Sequence, residues 1–355
     1  MKAKALFSVA FVALFASCTN DVVVSEKADT PIRITTSLDK HTRAGYTQAA
    51  DITEFKMSAF KTGTNTLWID NVDVTNSSGS YSWSGNTVWP GDGSGLTFVA
   101  YAPKTLSNGT PSLSHNSSTI TGFEQSTTDP TDLITAYADV ANGSSVTLNF
   151  KHALSKVEVL AVNESTLGYT IDIKGVKIGC VNSKGDLTWQ TSASTFPSWS
   201  NLSAKINYSY EDNTGTNIVQ NPIGTAQSIM FGNEFYLIPQ TLTAWVESTD
   251  ANNSNKGAYI SVLCQIKNGS IVKYPKSGTG YAWAAIPINP TWLAGHKYVY
   301  TLRFFANGNG GAGYVDPDET GDTPGSSIIT NSNIIVNVDI TPWDNQSGDN
   351  VSVVY

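Results

Sequence analysis

The stretch SVTLNFKHALSKVEV (Ser145–Val159) decides the fold class. Val146, Leu148, Phe150, His152 and Leu154 fall at every second position, the period of a strand with one buried face. Beyond Ser155 the apolar phase moves to Val157 and Val159, which predicts a bulge or a corner at that point. The same period recurs in both directions along the chain. Phe55, Met57 and Ala59 alternate in EFKMSAF, and Leu96, Phe98 and Ala100 do so before Pro103 stops the run. Tyr298, Tyr300, Leu302 and Phe304 form a later set, and Ile334, Val336, Val338 and Ile340 the last. No amphipathic run of helical period is long enough to compete. Turn clusters separate the strands: NSSGS at 76–80, PGDGSG at 90–95 and the long NGNGGAGYVDPDETGDTPGSS at 307–327. Many short strands with Gly- and Pro-rich turns predict an all-β protein built as antiparallel sandwiches. A polar stretch at 126–145 interrupts the rhythm and marks a domain boundary near its end.

Composition agrees with that class. The 355 residues are about two domains' worth, only 14% are charged, and the formal net charge is −8. No basic stripe with interleaved aromatics is present, so nucleic acid is not an expected partner. Three cysteines occur, Cys18, Cys180 and Cys264. Cys180 is in phase with Val176 and Ile178, and Cys264 with Ile260 and Val262, so both are expected on apolar strand faces. A disulfide and two buried free thiols fit the sequence equally.

The first residues have the shape of a targeting segment. Lys2 and Lys4 precede the apolar ALFSVAFVALF (Ala5–Phe15), which is too short to span a bilayer. Ala16 and Ser17 then stand before Cys18, the pattern of a bacterial lipoprotein signal cleaved before a lipidated cysteine; the alternative is an ordinary secretory signal. PIRITTSLDKHTRAG (31–45) follows, in which Ile32, Ile34, Thr36 and Leu38 share one strand face and a polar segment with Arg43 comes directly behind.

Catalytic constellations are not found. GNGGAG (308–313) has the letters of a dinucleotide loop, but the YVDPDETGD after it cannot open a helix to hold a pyrophosphate. Asp316, Asp318, Glu319 and Asp322 begin like a calcium loop, yet Ser327 stands where the bidentate Glu is required. A solvated acidic loop is the expectation, with no metal and no cofactor. His41, His115, His152 and His296 are scattered, and His152, in phase with Phe150 and Leu154, reads as a hydrogen-bonded core or edge histidine. The nine tryptophans would offer a glycan-stacking surface if exposed, and a surface-anchored glycan-binding lipoprotein is the alternative functional reading.

Several segments, taken in order, resemble the fimbrillin-like family, the lipoprotein pilins of Bacteroides-type Gram-negative bacteria. They are TRAG behind a short strand, ITEFKMSAFKTG (52–63), FVAYAP (98–103), DLITAYA (132–138), VTLNFKHALSKVEV (146–159), FYLIPQT (235–241), WLAGHKYVYTLRF (292–304) and VDITPW (338–343). The resemblance implies two Greek-key, transthyretin-like β-sandwich domains. It divides the chain into a signal peptide at 1–17, a lipidated pro-segment at 18–43 carrying a removable first strand, an N-terminal domain at 44–142 and a C-terminal domain at 143–355. It implies a fimbrial (pilus) subunit serving in adhesion, with no enzymatic activity. By the same resemblance the outer membrane holds the precursor through lipid on Cys18, and an Arg-specific protease cuts Arg43–Ala44. That cut removes the strand at Ile32, Ile34, Thr36 and Leu38, and a strand from another fimbrial subunit refills the groove. The partners are then other subunits, the protease and an unspecified host or bacterial surface receptor. Val351, Val353 and Tyr355 are a candidate donor strand, or the last strand of their own sheet. In the second case the subunit would sit at a tip or accessory position.

Overall fold

The computed structural model describes residues 30–38, 48–190, 197–212, 218–221, 224–247, 257–306, 311–329, 334–343 and 351–354. These residues are almost entirely strand and turn, with one 3-10 turn at Ala49–Asp51. In chain order the first strands are β1 (Ile34–Leu38), β2 (Glu54–Lys61), β3 (Leu67–Ser77), β4 (Ser80–Ser82) and β5 (Leu96–Ala102). Then come β6 (Thr110–Ser112), β7 (Ser117–Glu124), β8 (Ile134–Val140), β9 (Val146–His152) and β10 (Ser155–Asn163). The long β11 (Tyr169–Gln190) and β12 (Ser198–Glu211) precede β13 (Ile218–Gln220), β14 (Gln227–Ser228) and β15 (Phe235–Leu237). The remainder are β16 (Tyr259–Asn268), β17 (Ile271–Tyr274), β18 (Ala282–Pro287), β19 (His296–Phe304), β20 (Tyr314–Val315), β21 (Ile335–Pro342) and β22 (Val351–Val354).

They form three sheets. A seven-stranded sheet runs β1-β9-β8-β5-β2-β3-β4, a nine-stranded sheet has β20-β18-β16-β11-β7-β6 as its spine, and a six-stranded sheet carries β14-β10-β19-β21-β22. The nine- and six-stranded sheets face one another as a sandwich. Ile171, Ile173, Val176 and Ile178 of β11 and Ile260 and Val262 of β16 share one core with Val157 and Val159 of β10, Tyr298, Tyr300 and Leu302 of β19, and Val336 and Val338 of β21. The seven-stranded sheet encloses a separate core of Phe55, Met57, Phe98, Val146, Leu148 and Phe150. Phe55 and Phe150 meet edge to face, with ring centroids 5.3 Å apart.

The phase change at Ser155 is a corner: β9 closes the seven-stranded sheet, and β10 opens the six-stranded one two residues later. Strand pairing therefore crosses the expected boundary at 142–143 in both directions. β9 lies beyond that boundary but pairs with β1 and β8. β7 lies before it but pairs with β11, Ile120 facing Leu187 and Thr119 facing Thr188. The polar stretch at 126–145 contains β8 itself, paired with β5 and β9, so the first sheet runs on through it to the buried alternation of Val146, Leu148 and Phe150.

A third cluster ties these layers together. Tyr101, Ile120, Phe123, Leu133 and Leu154 pack with Leu187, Trp189, Tyr236, Ile238 and Trp343. β5 consequently buries both faces, Phe98 and Ala100 inward and Tyr101 toward Trp189, their ring centroids 6.5 Å apart.

Truncating Phe150 to Ala should cost about 3–5 kcal/mol by removing a fully buried ring, read as a lower urea midpoint. Burial, assisted for Tyr210 by the nearby Glu234 charge, pushes the phenols of Tyr210 and Tyr298 up to about 12. The folded state thus holds these protons more tightly than the unfolded chain. Their contribution is complete below a pH of about 10 and is lost as the pH rises toward about 12. Tyrosinate absorbance should appear late and together with unfolding.

Candidate functional site

β1 is short because Pro31 lacks a backbone donor and makes only an isolated bridge to Val88. From Ile34 to Leu38 it runs parallel to β9, with Ile34 opposite Val146, Thr36 opposite Leu148 and Leu38 opposite Phe150. On its other side the preceding residues bond to the segment at 87–89, which follows β4 in the chain. Ile32 donates to the Thr87 carbonyl at 2.8 Å, and Trp89 donates to the Thr30 carbonyl at 2.9 Å. The first strand and its lead-in therefore form a seam between β9 and the segment after β4.

Alternation along the seam follows the sequence. Ile32, Ile34 and Leu38 are buried in the core, while Arg33 and Thr35 are exposed. Thr36 shares the inward face but is half-buried, and its hydroxyl meets the Tyr81 hydroxyl at 2.7 Å. Tyr81 in turn donates to the Ile52 carbonyl at 3.0 Å. The inward face thus carries three apolar side chains and one hydroxyl. At about 1.5–3 kcal/mol for each buried aliphatic side chain, the three contribute at most about 5–9 kcal/mol. The outward face is held by weaker polar pairs: Thr35 Oγ1 to Thr147 Oγ1 at 3.1 Å, and Ser37 Oγ to Asn149 Oδ1.

Cys18, Arg43, Ala44 and Tyr355 lie outside the described residues, as does His41. The candidate donor segment is found in its own sheet: β22 runs antiparallel to β21, with Val351 opposite Ile340 and Val353 opposite Val338.

The acidic loop differs from the expectation of a solvated segment. Asp316 is completely buried, its Oδ2 lies 2.8 Å from Lys177 Nζ and accepts from Ser261 Oγ, and its Oδ1 accepts from the Asp318 amide. Asp318 is bound by Tyr259 and Asn207, and Glu319 accepts from the Trp283 amide. Residues 311–329 are drawn onto the nine-stranded sheet because β20 pairs with β18, a long-range pairing with no signal in the local alternation. Among the described residues, no group of three or more His, Cys, Asp or Glu is placed to hold a metal ion. Gly313 leads into β20 rather than a helix, so no helix N-terminus follows the GNGGAG letters.

Cys180 and Cys264 are both free thiols. Cys264 is opposite Ile173, and burial pushes its thiol pKa up. Cys180 is not on the apolar face of β11, because a bulge between Ile178 and Val181 puts it at φ 59° and half-exposed.

His152 is a buried, hydrogen-bonded histidine as expected, its Nδ1 3.0 Å from Asp132 Oδ1. Its neighbours were not legible. Trp343, 191 residues on by the sequence numbering, stacks on the imidazole at 3.7 Å, and Tyr236 lies parallel to the same indole at 5.5 Å. All nine tryptophans are described and none is exposed: Trp89, Trp189, Trp245, Trp292 and Trp343 are buried, and Trp68, Trp83, Trp199 and Trp283 half-buried. The tryptophan surface open to the glycan-binding alternative is limited to the half-buried Trp68, Trp83, Trp199 and Trp283.

The chain belongs to the fimbrillin-like family, whose model matches residues 42–343. Among solved structures it is similar to a fimbrial protein from Bacteroides vulgatus, with 17% identity, 87% of this chain and 99% of that chain covered, and a TM-score of 0.53. It is also similar to candidate cell-adhesion proteins from Bacteroides uniformis and Bacteroides ovatus. Both show 15% identity and a TM-score of 0.46, covering 89% and 90% of this chain and 99% and 100% of theirs. At such identities the likeness speaks for the fold alone, and the Bacteroides vulgatus chain carries it. No curated protein sequence matches.

Leu38→Ala should lower stability by about 2–5 kcal/mol, and Tyr81→Phe by about 1 kcal/mol through the lost hydroxyl contacts. Urea unfolding of each variant measures both, and an unchanged midpoint for Leu38→Ala would show that the seam does not support the sheet.

Proposed function

We propose that this protein is a structural subunit of a cell-surface fimbria, acting in adhesion and without catalysis, and that subunits join by exchange of the seam strand. The observation that carries the reading is β1 itself. It is joined to β9 by one five-residue ladder, is preceded by Pro31, and lies a few residues before the Arg43–Ala44 bond. Cutting that bond frees the strand from everything C-terminal to it. Once it leaves, the β9 edge is unpaired and the pockets of Ile32, Ile34 and Leu38 are open, which is the template an added strand requires.

In this reading the chain is made as an outer-membrane lipoprotein anchored through Cys18, and the cut by an Arg-specific protease releases it from the lipid. We place the division between two transthyretin-like Greek-key sandwiches after β9, in place of 142–143. We read residues 351–355 as a donor strand that leaves β21 when a neighbour's groove is offered; if it stays, the subunit occupies a tip or accessory position.

The test is the N-terminus and oligomeric state of protein from the cell surface, before and after limited trypsin. A start at Ala44 with heat-labile oligomers is expected, and Arg43→Ala should keep a lipidated, monomeric form beginning at Cys18. A lipidated start that persists in the wild type, with no oligomers after trypsin, would sink strand exchange. Deleting residues 344–355 should abolish homopolymers while leaving cleavage intact; homopolymers that survive would remove the C-terminal segment as donor.

A further inference from the structure

We propose that Lys177 and Asp316 form an intramolecular isopeptide bond in the mature protein. The pair has the placement such a reaction requires. Lys177 lies on β11, in the middle of the nine-stranded sheet, paired with Ser209 on one side and Ser261 on the other. It is 6% exposed, and Asp316 is 0% exposed. Nζ stands 2.8 Å from Oδ2. Aromatic rings wall the site, with Nζ 4.8 Å from the Trp283 ring centroid and 5.5 Å from that of Tyr259. The carboxyl group is held at both oxygens, by Ser261 Oγ at Oδ2 and by the Asp318 amide at Oδ1, 2.8 Å away. A second carboxylate is within reach, Asp318 Oδ2 at 3.9 Å from Nζ, and it stays partly open to solvent.

Burial of two opposite charges in such a setting is expensive, whereas a neutral pair is not. One proton passes from the Lys177 ammonium to the Asp316 carboxylate, giving an amine beside a carboxylic acid. The amine nitrogen attacks Cγ, and a tetrahedral centre forms whose negative oxygen is met by the hydrogen-bond donors already in place. Asp318 takes a proton from the nitrogen and delivers it to the departing hydroxyl. An amide and one water result from an ammonium and a carboxylate, so atoms and charge balance and no co-reactant is needed. Proximity is the main driver: the two groups are within attack distance and cannot diffuse apart.

The product would join the centre of β11 to the loop after β20, across 139 residues of chain. A pull transmitted along the nine-stranded sheet would then bypass everything between those points. This holds whether or not the seam strand exchanges.

The experiment is mass spectrometry on a tryptic digest of the full chain, with an intact-mass comparison. The sequence has no Lys or Arg after Arg303, so Asp316 falls in peptide 304–355, and a modified Lys177 leaves 175–184 uncut. The expected species is those two peptides joined, with a mass one water below their sum. Lys177→Arg should abolish it, Asp318→Asn should slow its appearance at least tenfold, and Asp316→Asn should yield the same link with loss of ammonia instead. Wild-type protein that is folded by circular dichroism, aged for days and still yields free 178–184 and 304–355 would overturn the proposal, leaving the pair an ion pair alone. The wild-type digest decides this even if a variant fails to fold. Failure here leaves the fimbrial reading untouched, since that is judged by N-terminus and oligomers.

Discussion

The seven-stranded sheet has two ends, and everything about it depends on how they are closed. An open edge exposes a row of backbone donors and acceptors that must find partners. Here the partner is a short segment at the start of the chain, hydrogen-bonded to β9 along one side and to residues 87–89 along the other. Because β1 and β9 are parallel, no hairpin can connect them, and the pairing is made across 112 residues of sequence. A strand held this way belongs to the sheet by contact, not by connection. The same property makes it structurally necessary and separable in principle.

The rest of the molecule is bound to that sheet through an aromatic junction. Trp343, just beyond β21, inserts between His152 at the end of β9 and Tyr236 in β15, with Lys156 Nζ 5.8 Å from its ring. Lys156 is paired with Glu234, and Tyr236 also donates to Glu234. Charged groups buried here are each compensated, as low-dielectric sites demand. β7 adds a second attachment by crossing to β11. The first sheet is therefore not a bead on a string, and opening its seam would leave these attachments in place.

A division of labour follows between the two ends of the chain. The N-terminal sheet has a seam closed by three aliphatic side chains and a threonine–tyrosine contact. The C-terminal sandwich has a large continuous core and a loop nailed down by Asp316, Asp318 and Glu319. In the proposed exchange, the first part opens while the second stays shut.

The sequence by itself determined the all-β class, the strand positions and the inward faces, because a side chain's alternation is a local property set by the pleat. It placed Ile32, Ile34 and Leu38 inward, and it identified His152 as a hydrogen-bonded histidine. It did not carry which strand pairs with which. β9 and β7 fell on the wrong sides of the expected boundary, since pairing is made between segments far apart and leaves no local period. The bulge at Cys180 shifted the phase that the alternation assumed. The acidic loop looked solvated because its lysine partner is 139 residues away, and how far each tryptophan is buried depends on what packs over its strand. Periodicity is written in the chain; partners, burial and charge compensation exist only once distant segments meet.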